Sequence, residues 1–454
     1  MPLLKQLEKL IAYPLFPEND YIFSKYTYDA IYKIAARFQK NIFPADTEES
    51  ICLCINDRGI MAGALIAALT RPVSLILPNA YSASVLERMH QAIAFSRAIV
   101  QEPIALPRDV TPVFFDRDTL GNDTLDRSFV RHPDSVLVKL FTGGSTKTPR
   151  IWSKTIRNLF SEAIHHAENL DVSSHDRIVA TVPPNHIYGL LFSVLTPFVA
   201  SASVVDEELT YPHEIQNAVK ENQGSILIST PLHYKMLAGI PFKAESLRLA
   251  ISSAARLYAA DSRFFHQKTG LGITEIFGST ETGGIASRLC NDKQPDFELF
   301  ECVDWKIAKD LLAIRSDFIS PELPVDPEGF FTTNDQVNIK GPDRFELKGR
   351  ADRIVKVGGK RVDLDEIKSA ITGMPKVKDA AVICIPNDSA RENKICALVA
   401  ADASISEIRQ YLKHRIQSYA VPRLIRIVEK IPVSSTGKYE NAEIKRLLES
   451  ISRY

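Results

Sequence analysis

An α/β fold in at least two domains is what the chain predicts, and three observations carry that expectation. Its 454 residues exceed what one compact core comfortably holds. Residues 27–142 alternate helical and strand-like segments. Beyond residue 350 a shorter mixture of helical and strand-like segments forms a unit of its own size.

The elements follow from local pattern. Ile31, Ile34, Ala35 and Phe38 recur at helical spacing, and Ile51-Cys-Leu-Cys-Ile-Asn56 is a short apolar run ended by polar residues. The pattern predicts a helix over 60–69, a strand over 74–77, a helix over 82–94 and a strand over 135–141. Such alternation favours a parallel sheet covered by helices, with ligand loops at the C-terminal ends of the strands. The most apolar stretch, 189–205, is broken by Ser193, Thr196, Pro197, Ser201 and Ser203. It is short of a comfortable membrane span and reads as a buried helix and strand. From about 297 to 339 short strands alternate with turn residues, including Pro321, Pro324, Pro327 and Gly329. The C-terminal unit is expected to have helices over 363–372, 404–417 and 441–449, and strands near 380–385, 394–400 and 424–428. The chain shows no internal repeat and no low-complexity tract.

Composition narrows the function. Hydrophobic residues at 45% and charged residues at 24% are ordinary for a soluble globular protein. Lysine plus arginine equal aspartate plus glutamate at 55 each, so no global charge points to nucleic acid or an anionic membrane. Cys52, Cys54, Cys290, Cys302, Cys384 and Cys396 form no Cys-x-x-Cys pair and have no histidine at zinc-finger spacing. Free thiols in a reducing cytosol fit that pattern. Met1-Pro-Leu-Leu-Lys-Gln-Leu-Glu lacks the basic-then-apolar layout of a signal peptide. The expectation is a cytoplasmic protein with no membrane span and no nucleic-acid partner.

Five segments carry chemistry. Phe141-Thr-Gly-Gly-Ser-Thr-Lys-Thr-Pro149 is a Gly/Ser/Thr-rich loop. Its glycines can turn successive N–H groups inward, and Thr142, Ser145 and Thr146 add hydroxyl donors, which suits a polyphosphate. It is not a Walker loop, since no Gly-Lys-Ser/Thr closes it; alone, it reads equally well as an ordinary flexible loop. Phe277-Gly-Ser-Thr-Glu281, Thr333-Asn-Asp335, Gly349-Arg-Ala-Asp352 and Pro432-Val-Ser-Ser-Thr-Gly-Lys438 follow in that order.

Together these segments resemble the adenylate-forming superfamily: acyl- and aryl-CoA synthetases, stand-alone adenylation domains and luciferases. The resemblance runs from about residue 135 to the C-terminus. It implies that residues 142–146 (Thr142, Gly143, Gly144, Ser145 and Thr146) wrap the ATP phosphates, with Thr142 and Glu281 at Mg²⁺. It also implies that Phe277, with Gly278 and Ser279, packs on adenine and that Thr280 contacts the α-phosphate. Ser252-Ser-Ala-Ala-Arg-Leu257 resembles the segment lining the adenine pocket, through Ser253, Ala254 and Ala255. Asp335 corresponds to the carboxylate that accepts both ribose hydroxyls, and Arg350 would reach ribose or phosphate. Asp352 sits where the family pivots its small domain, and Gly358 and Gly359 would let a thin ligand arm pass. Lys438 corresponds to the catalytic lysine, whose point charge on a long stem can meet developing negative charge. His186, in Pro183-Pro-Asn-His-Ile-Tyr-Gly189, resembles the histidine closing the acyl pocket. The chain departs from the family pattern at Lys147, Arg150, Arg256 and Asn334, where glycine, lysine, proline and glycine are usual.

The resemblance implies a large N-terminal domain of βα-layered sheets with a small β subdomain, 1–349, and a small mobile α+β domain, 350–454, hinged near Asp352. It implies ATP-dependent activation of an aryl or fatty carboxylic acid to acyl-AMP, then transfer to the phosphopantetheine thiol of CoA. Two alternatives stay open. One is the same chemistry with an acyl carrier protein as acceptor, which the cations Lys340, Arg344, Lys348, Arg350, Arg353, Lys356, Lys360 and Arg361 would suit as well as they suit CoA phosphates. The other is a non-catalytic nucleotide-binding relative. The acid-binding pocket is expected near His186, Tyr188, His233, Gly283 and Gly284, the small residues after Glu281 leaving room for a ring or chain.

Overall fold

The computed structural model describes residues 3–115, 123–142, 150–242, 245–357, 360–385, 394–413, 415–434 and 437–449. The chain divides into two compact units, Met1–Asp304 with Arg315–Phe331, and Trp305–Ile314 with Thr332–Tyr454. The division by packing thus lies upstream of residue 350. The strands Asp304–Ala308, Leu311–Arg315, Phe331–Ile339 and Arg344–Arg350 pair in that order. They bury Leu312, Ile314 and Phe345, which holds the meander together as one piece.

The first unit contains two sheets. One has strands in the order Thr111–Phe114, Arg97–Val100, Glu49–Cys54, Val73–Leu77, Val136–Thr142 and Arg150–Thr155. All neighbours are parallel except the last pair. The parallel sheet with interleaved helices is the expected one, and strand and helix bounds lie within a few residues of expectation. Asp57 caps the helix Arg58–Ala68 by accepting the Ile60 N–H at 2.9 Å. Every residue of that helix is buried, which explains its lack of a polar face. Its first residue, Arg58, donates to Ser193 Oγ, Asp206 and the Val182 carbonyl, each at 3.0 Å, anchoring the helix to the second sheet.

In the second sheet, Arg177–Ala180, Ile226–Ser229, Leu249–Ser252 and Ile273–Ser279 run parallel, and Gly283–Cys290 turns back antiparallel. Ile187–Leu190, a π-helical turn at Leu191–Leu195 and Thr196–Ala200 lead into the strand Ser203–Val205, so the apolar stretch is a buried helix and strand as expected. Among the described residues no helix is long and apolar enough to cross a membrane.

In the second unit, Val377–Ile385 pairs antiparallel with Lys394–Ala401, which pairs parallel with Leu424–Val428. Period-two alternation sorts the side chains. Ala380, Val382, Ala397 and Val399 pack with Ile367, Ile371, Ile408 and Leu412 from two helices. Ala381, Cys396 and Leu398 face Ile444 and Leu448 from the last helix. Both faces are covered, which is why these strands read as near-continuous apolar runs.

Candidate active site

Parallel strand ends line up in the second sheet of the first unit. Ser229 lies opposite Ser252, and Ser252 opposite Glu275, so the segments carrying Ser253, Ala254, Ala255 and Phe277, Gly278, Ser279 leave neighbouring strands side by side. Ser253 Oγ donates to the Ile276 carbonyl at 3.0 Å and stitches the two ends. Ala254 turns the chain at φ +73°, a left-handed value uncommon for a residue with a Cβ. The Leu257 N–H then donates to Glu275 Oε1 at 2.9 Å, and Arg288 Nε donates to the other oxygen at 2.7 Å. Ser252 Oγ is buried and makes no hydrogen bond among the described residues. The C-terminal edge of an open α/β sheet is where ligands bind, and this edge is rigidly built.

The turn that follows is tight. Gly278 pairs with Gly284, and a Cβ on Gly278 would stand 2.3 Å from the Gly283 carbonyl oxygen, so only glycine lets the two backbones approach this closely. Ser279 N–H donates to Thr282 Oγ1 at 3.1 Å, and Thr282 N–H returns to Ser279 Oγ at 3.2 Å. Thr280 is buried and the Glu281 side chain half-buried on this locked turn. The Phe277 ring lies 5.4 Å from that of Phe297, tilted by 45°.

Sequence reasoning missed Lys154 and Glu162, which lie beneath this turn. Lys154 is fully buried, and its Nζ donates to the carbonyls of Phe318 at 2.8 Å and Glu281 at 3.3 Å. Burial pushes its pKa down to about 8 against the opposing pull of Glu162, Glu281 and Glu322. Glu162 accepts the Gly284 N–H at 2.6 Å. The only available signal was a lysine inside an otherwise strand-like run just ahead of an amphipathic helix.

The expected pocket residues divide. A Cβ on Gly283 would meet Phe318 Cβ at 2.6 Å and Glu162 Oε2 at 2.7 Å, and one on Gly284 would meet Phe300 at 2.7 Å. The room left by these small residues is therefore filled by protein rather than open to a ring or chain. Tyr188 donates to the Ser229 and Ile251 carbonyls at 3.1 and 3.0 Å. His233 Nδ1 lies 3.0 Å from Thr181 Oγ1 and 3.1 Å from Thr230 Oγ1. Burial pushes the His233 pKa down to about 4, so the ring is neutral at pH 7 and Nδ1 shares a hydrogen bond with these hydroxyls. The Tyr188 hydroxyl and His233 Nδ1 thus tie strand ends together. His186 is half-buried at the N-cap of Ile187–Leu190, with no side-chain cap bond.

The Gly/Ser/Thr loop connects antiparallel strands in which Thr142 lies opposite Arg150. Gly143, Gly144, Ser145, Thr146 and Lys147 fall outside the described residues, as do Gly358 and Gly359; of Thr142 and Asp352 only the backbone is described. Arg150 is exposed at the loop's exit, and Arg256 is exposed over the Tyr258 ring at 5.7 Å. Asn334, which stands where the family usually has glycine, lies exposed within the strand Phe331–Ile339 and is not left-handed.

In the second unit Asp335 and Arg350 stand opposite each other across paired strands, Arg350 NH1 lying 3.6 Å from Asp335 Oδ1. Asp335 is buried and Arg350 exposed. Ala351–Arg353 is a single 3₁₀ turn, and the stretch after it is a hairpin, Ile354–Val357 with Lys360–Asp363. Lys438 sits on a second hairpin, where Ser434 N–H donates to its carbonyl at 2.7 Å and Gly437 adopts φ +75°. The neighbouring Tyr439 hydroxyl donates to Asp379 at 2.6 Å, while the Lys438 side chain is exposed. Among the described residues no group of three or more His, Cys, Asp or Glu side chains is arranged to hold a metal.

Comparisons with known proteins agree with this architecture. The AMP-binding enzyme family matches residues 44–317, and the AMP-binding enzyme C-terminal domain matches 366–438. Medium-chain fatty-acid–CoA ligase of Escherichia coli K12 is 21% identical, over 83% of this chain and 70% of the relative. 4-Coumarate–CoA ligase of Rhodobacter capsulatus is 28% identical over 65% of this chain and 73% of its own. Among solved structures, ATP-bound MatB from Rhodopseudomonas palustris superposes with a TM-score of 0.86 at 19% identity, covering 98% of this chain and 99% of that one. The AMP complex of O-succinylbenzoate coenzyme A synthetase from Bacillus subtilis gives 0.81 at 16% identity, covering 97% and 98%. The chain belongs to the AMP-binding enzyme family, the adenylate-forming superfamily, and is an acid–thiol ligase of its acyl- and aryl-CoA synthetase type.

Proposed function

We propose that this chain joins a carboxylic acid to ATP as acyl-AMP and then passes the acyl group to the thiol of CoA. The alignment of the strand ends at Ser252 and Glu275 carries this reading, because it sets the adenine-lining segment beside the turn bearing Thr280 and Glu281. In the first step a carboxylate oxygen bonds to the α-phosphorus as the bond to pyrophosphate breaks. The loop 142–146 and Thr280 bind phosphate oxygens, and Lys438 meets the charge that builds there. In the second step the thiol sulfur bonds to the acyl carbon, the bond to AMP breaks and the thiol proton leaves to solvent. His186 bounds the acid pocket, Ser253, Ala254, Ala255, Phe277, Gly278 and Ser279 bind adenine, and Gly358 and Gly359 admit the phosphopantetheine arm.

The residues present fit these groups. Glu281 stands half-buried on a locked turn with Thr142 as its proposed co-ligand, and Mg²⁺ characteristically takes one or two protein oxygens with substrate phosphates and water. Bound there, the ion would neutralise phosphate charge. Asp335 is a buried carboxylate able to accept two hydroxyls, with Arg350 beside it. Asp335→Ala should weaken ATP binding at least tenfold, since a hydrogen bond to a charged acceptor contributes about 1.5–3 kcal/mol. Unchanged ATP affinity in calorimetry would remove Asp335 from the ribose site. A cytoplasmic setting accords with the six free cysteines.

Pyrophosphate release tests the whole reading. Medium-chain fatty acids and hydroxycinnamates form the panel, following the substrates in the relatives' names. At least one acid should drive release, and CoA should then yield a thioester. Thioester formation on a phosphopantetheinylated carrier protein but not on CoA would replace the acceptor. Failure of every acid to release pyrophosphate would overturn the reading.

A further inference from the structure

The buried residues Lys154 and Glu162 have no part in the mechanism above, yet both touch the turn that bears Glu281. Lys154 Nζ and the Ser320 N–H, at 3.3 and 2.8 Å, both donate to the Glu281 carbonyl. Glu162 Oε1 accepts the Gly284 N–H at 2.6 Å, and its other oxygen fills the space beside Gly283. We propose that Lys154 and Glu162 are positioning residues that clamp both ends of the segment 281–284 and so set the direction of the Glu281 carboxylate. This rests on the reading that Glu281 holds Mg²⁺.

The block bearing the clamp is itself immobilised. Thr155 and Asn158 form a capping box at the start of Ile156–Asn169, and Asn158 Nδ2 donates to the carbonyls of Asp317 and Ile319 at 2.6 and 3.1 Å. Lys154 and Asn158 thereby hold the segment 317–320 and the turn against one strand-to-helix junction. Burying an ammonium merely to satisfy backbone carbonyls is costly, and apolar packing usually stabilises better. Two ionisable groups buried beneath a proposed metal-binding carboxylate are accounted for by orientation: residues behind a metal ligand fix its geometry, and their loss typically lowers metal affinity 10–100-fold.

The test compares Mg²⁺ titrations of pyrophosphate release for Lys154→Met, Glu162→Gln and Glu281→Gln. Lys154→Met should raise the half-saturating Mg²⁺ concentration about tenfold, while the conversion of supplied acyl-AMP to thioester proceeds at the wild-type rate. Glu162→Gln, of the same shape and able to keep one acceptor for Gly284, should shift the Mg²⁺ requirement in the same direction by less. It carries the test by itself if Lys154→Met does not fold. A Mg²⁺ requirement unchanged in the folded variants, or equal losses in both half-reactions, overturns the clamp. An unchanged requirement in Glu281→Gln would instead overturn the Mg²⁺ role of Glu281, so the two failures are distinguishable.

Discussion

Lys438→Ala should slow acyl-AMP formation by about 10²–10³, the scale for losing one preorganised donor to transition-state charge. Lys438 lies exposed rather than packed in a core. Its backbone is fixed in a hairpin closed by Ser434 and Gly437, and the next residue, Tyr439, is tied to Asp379, while its own side chain is exposed. Removing an exposed side chain from a fixed hairpin should cost little stability. The loss is therefore expected in the step where negative charge builds at the α-phosphate. Supplied acyl-AMP should still be converted to thioester at close to the wild-type rate. Rapid-quench measurement of each half-reaction makes the comparison, and equal damage to both would show that Lys438 acts on the fold instead.

Sequence pattern made the framework legible where the signal was local. Helical spacing around Ile31 and Phe38 and the apolar runs at Ile51, 380–385 and 394–400 each mark an element that forms nearly as expected. The turn at Gly278 was legible because its chemistry lies in five consecutive residues. Contacts between distant segments were not. Lys154 meets Glu281 and Phe318, and Glu162 meets Gly284, across more than a hundred residues of chain, and no period or cap encodes such a meeting. Gly283 and Gly284 misled for the same reason: a missing side chain reads as open space, but the sequence does not say that Glu162, Phe300 and Phe318 come to fill it. Tyr188 and His233 carry chemistry that suits a pocket, and only their hydrogen-bond partners reveal that they secure strand ends.

Asp352→Pro should abolish one half-reaction and leave the other largely intact. We propose that the site presents Lys438 during adenylation and the segment around Gly358 and Gly359 during thioester formation, and that the chain rotates about Asp352 between the two. The segment that would rotate under this proposal is short and lies within the second unit. On one side Arg350 is paired with Asp335 across the strands; on the other, Arg353 donates to Asp365 at 3.2 Å and to the Val382 carbonyl at 3.0 Å. Between these two anchored arginines lie only Ala351 and Asp352, within a single 3₁₀ turn. Such turns have φ of about −50° to −70°, and proline holds φ near −65° while removing an N–H. The substitution should therefore resist rotation at residue 352, although proline also biases Ala351 towards extended conformations. Thermal unfolding close to that of the wild type would separate a trapped hinge from misfolding. If Asp352→Pro completes both half-reactions at wild-type rates, rotation about this residue is wrong, and one fixed arrangement must serve both steps.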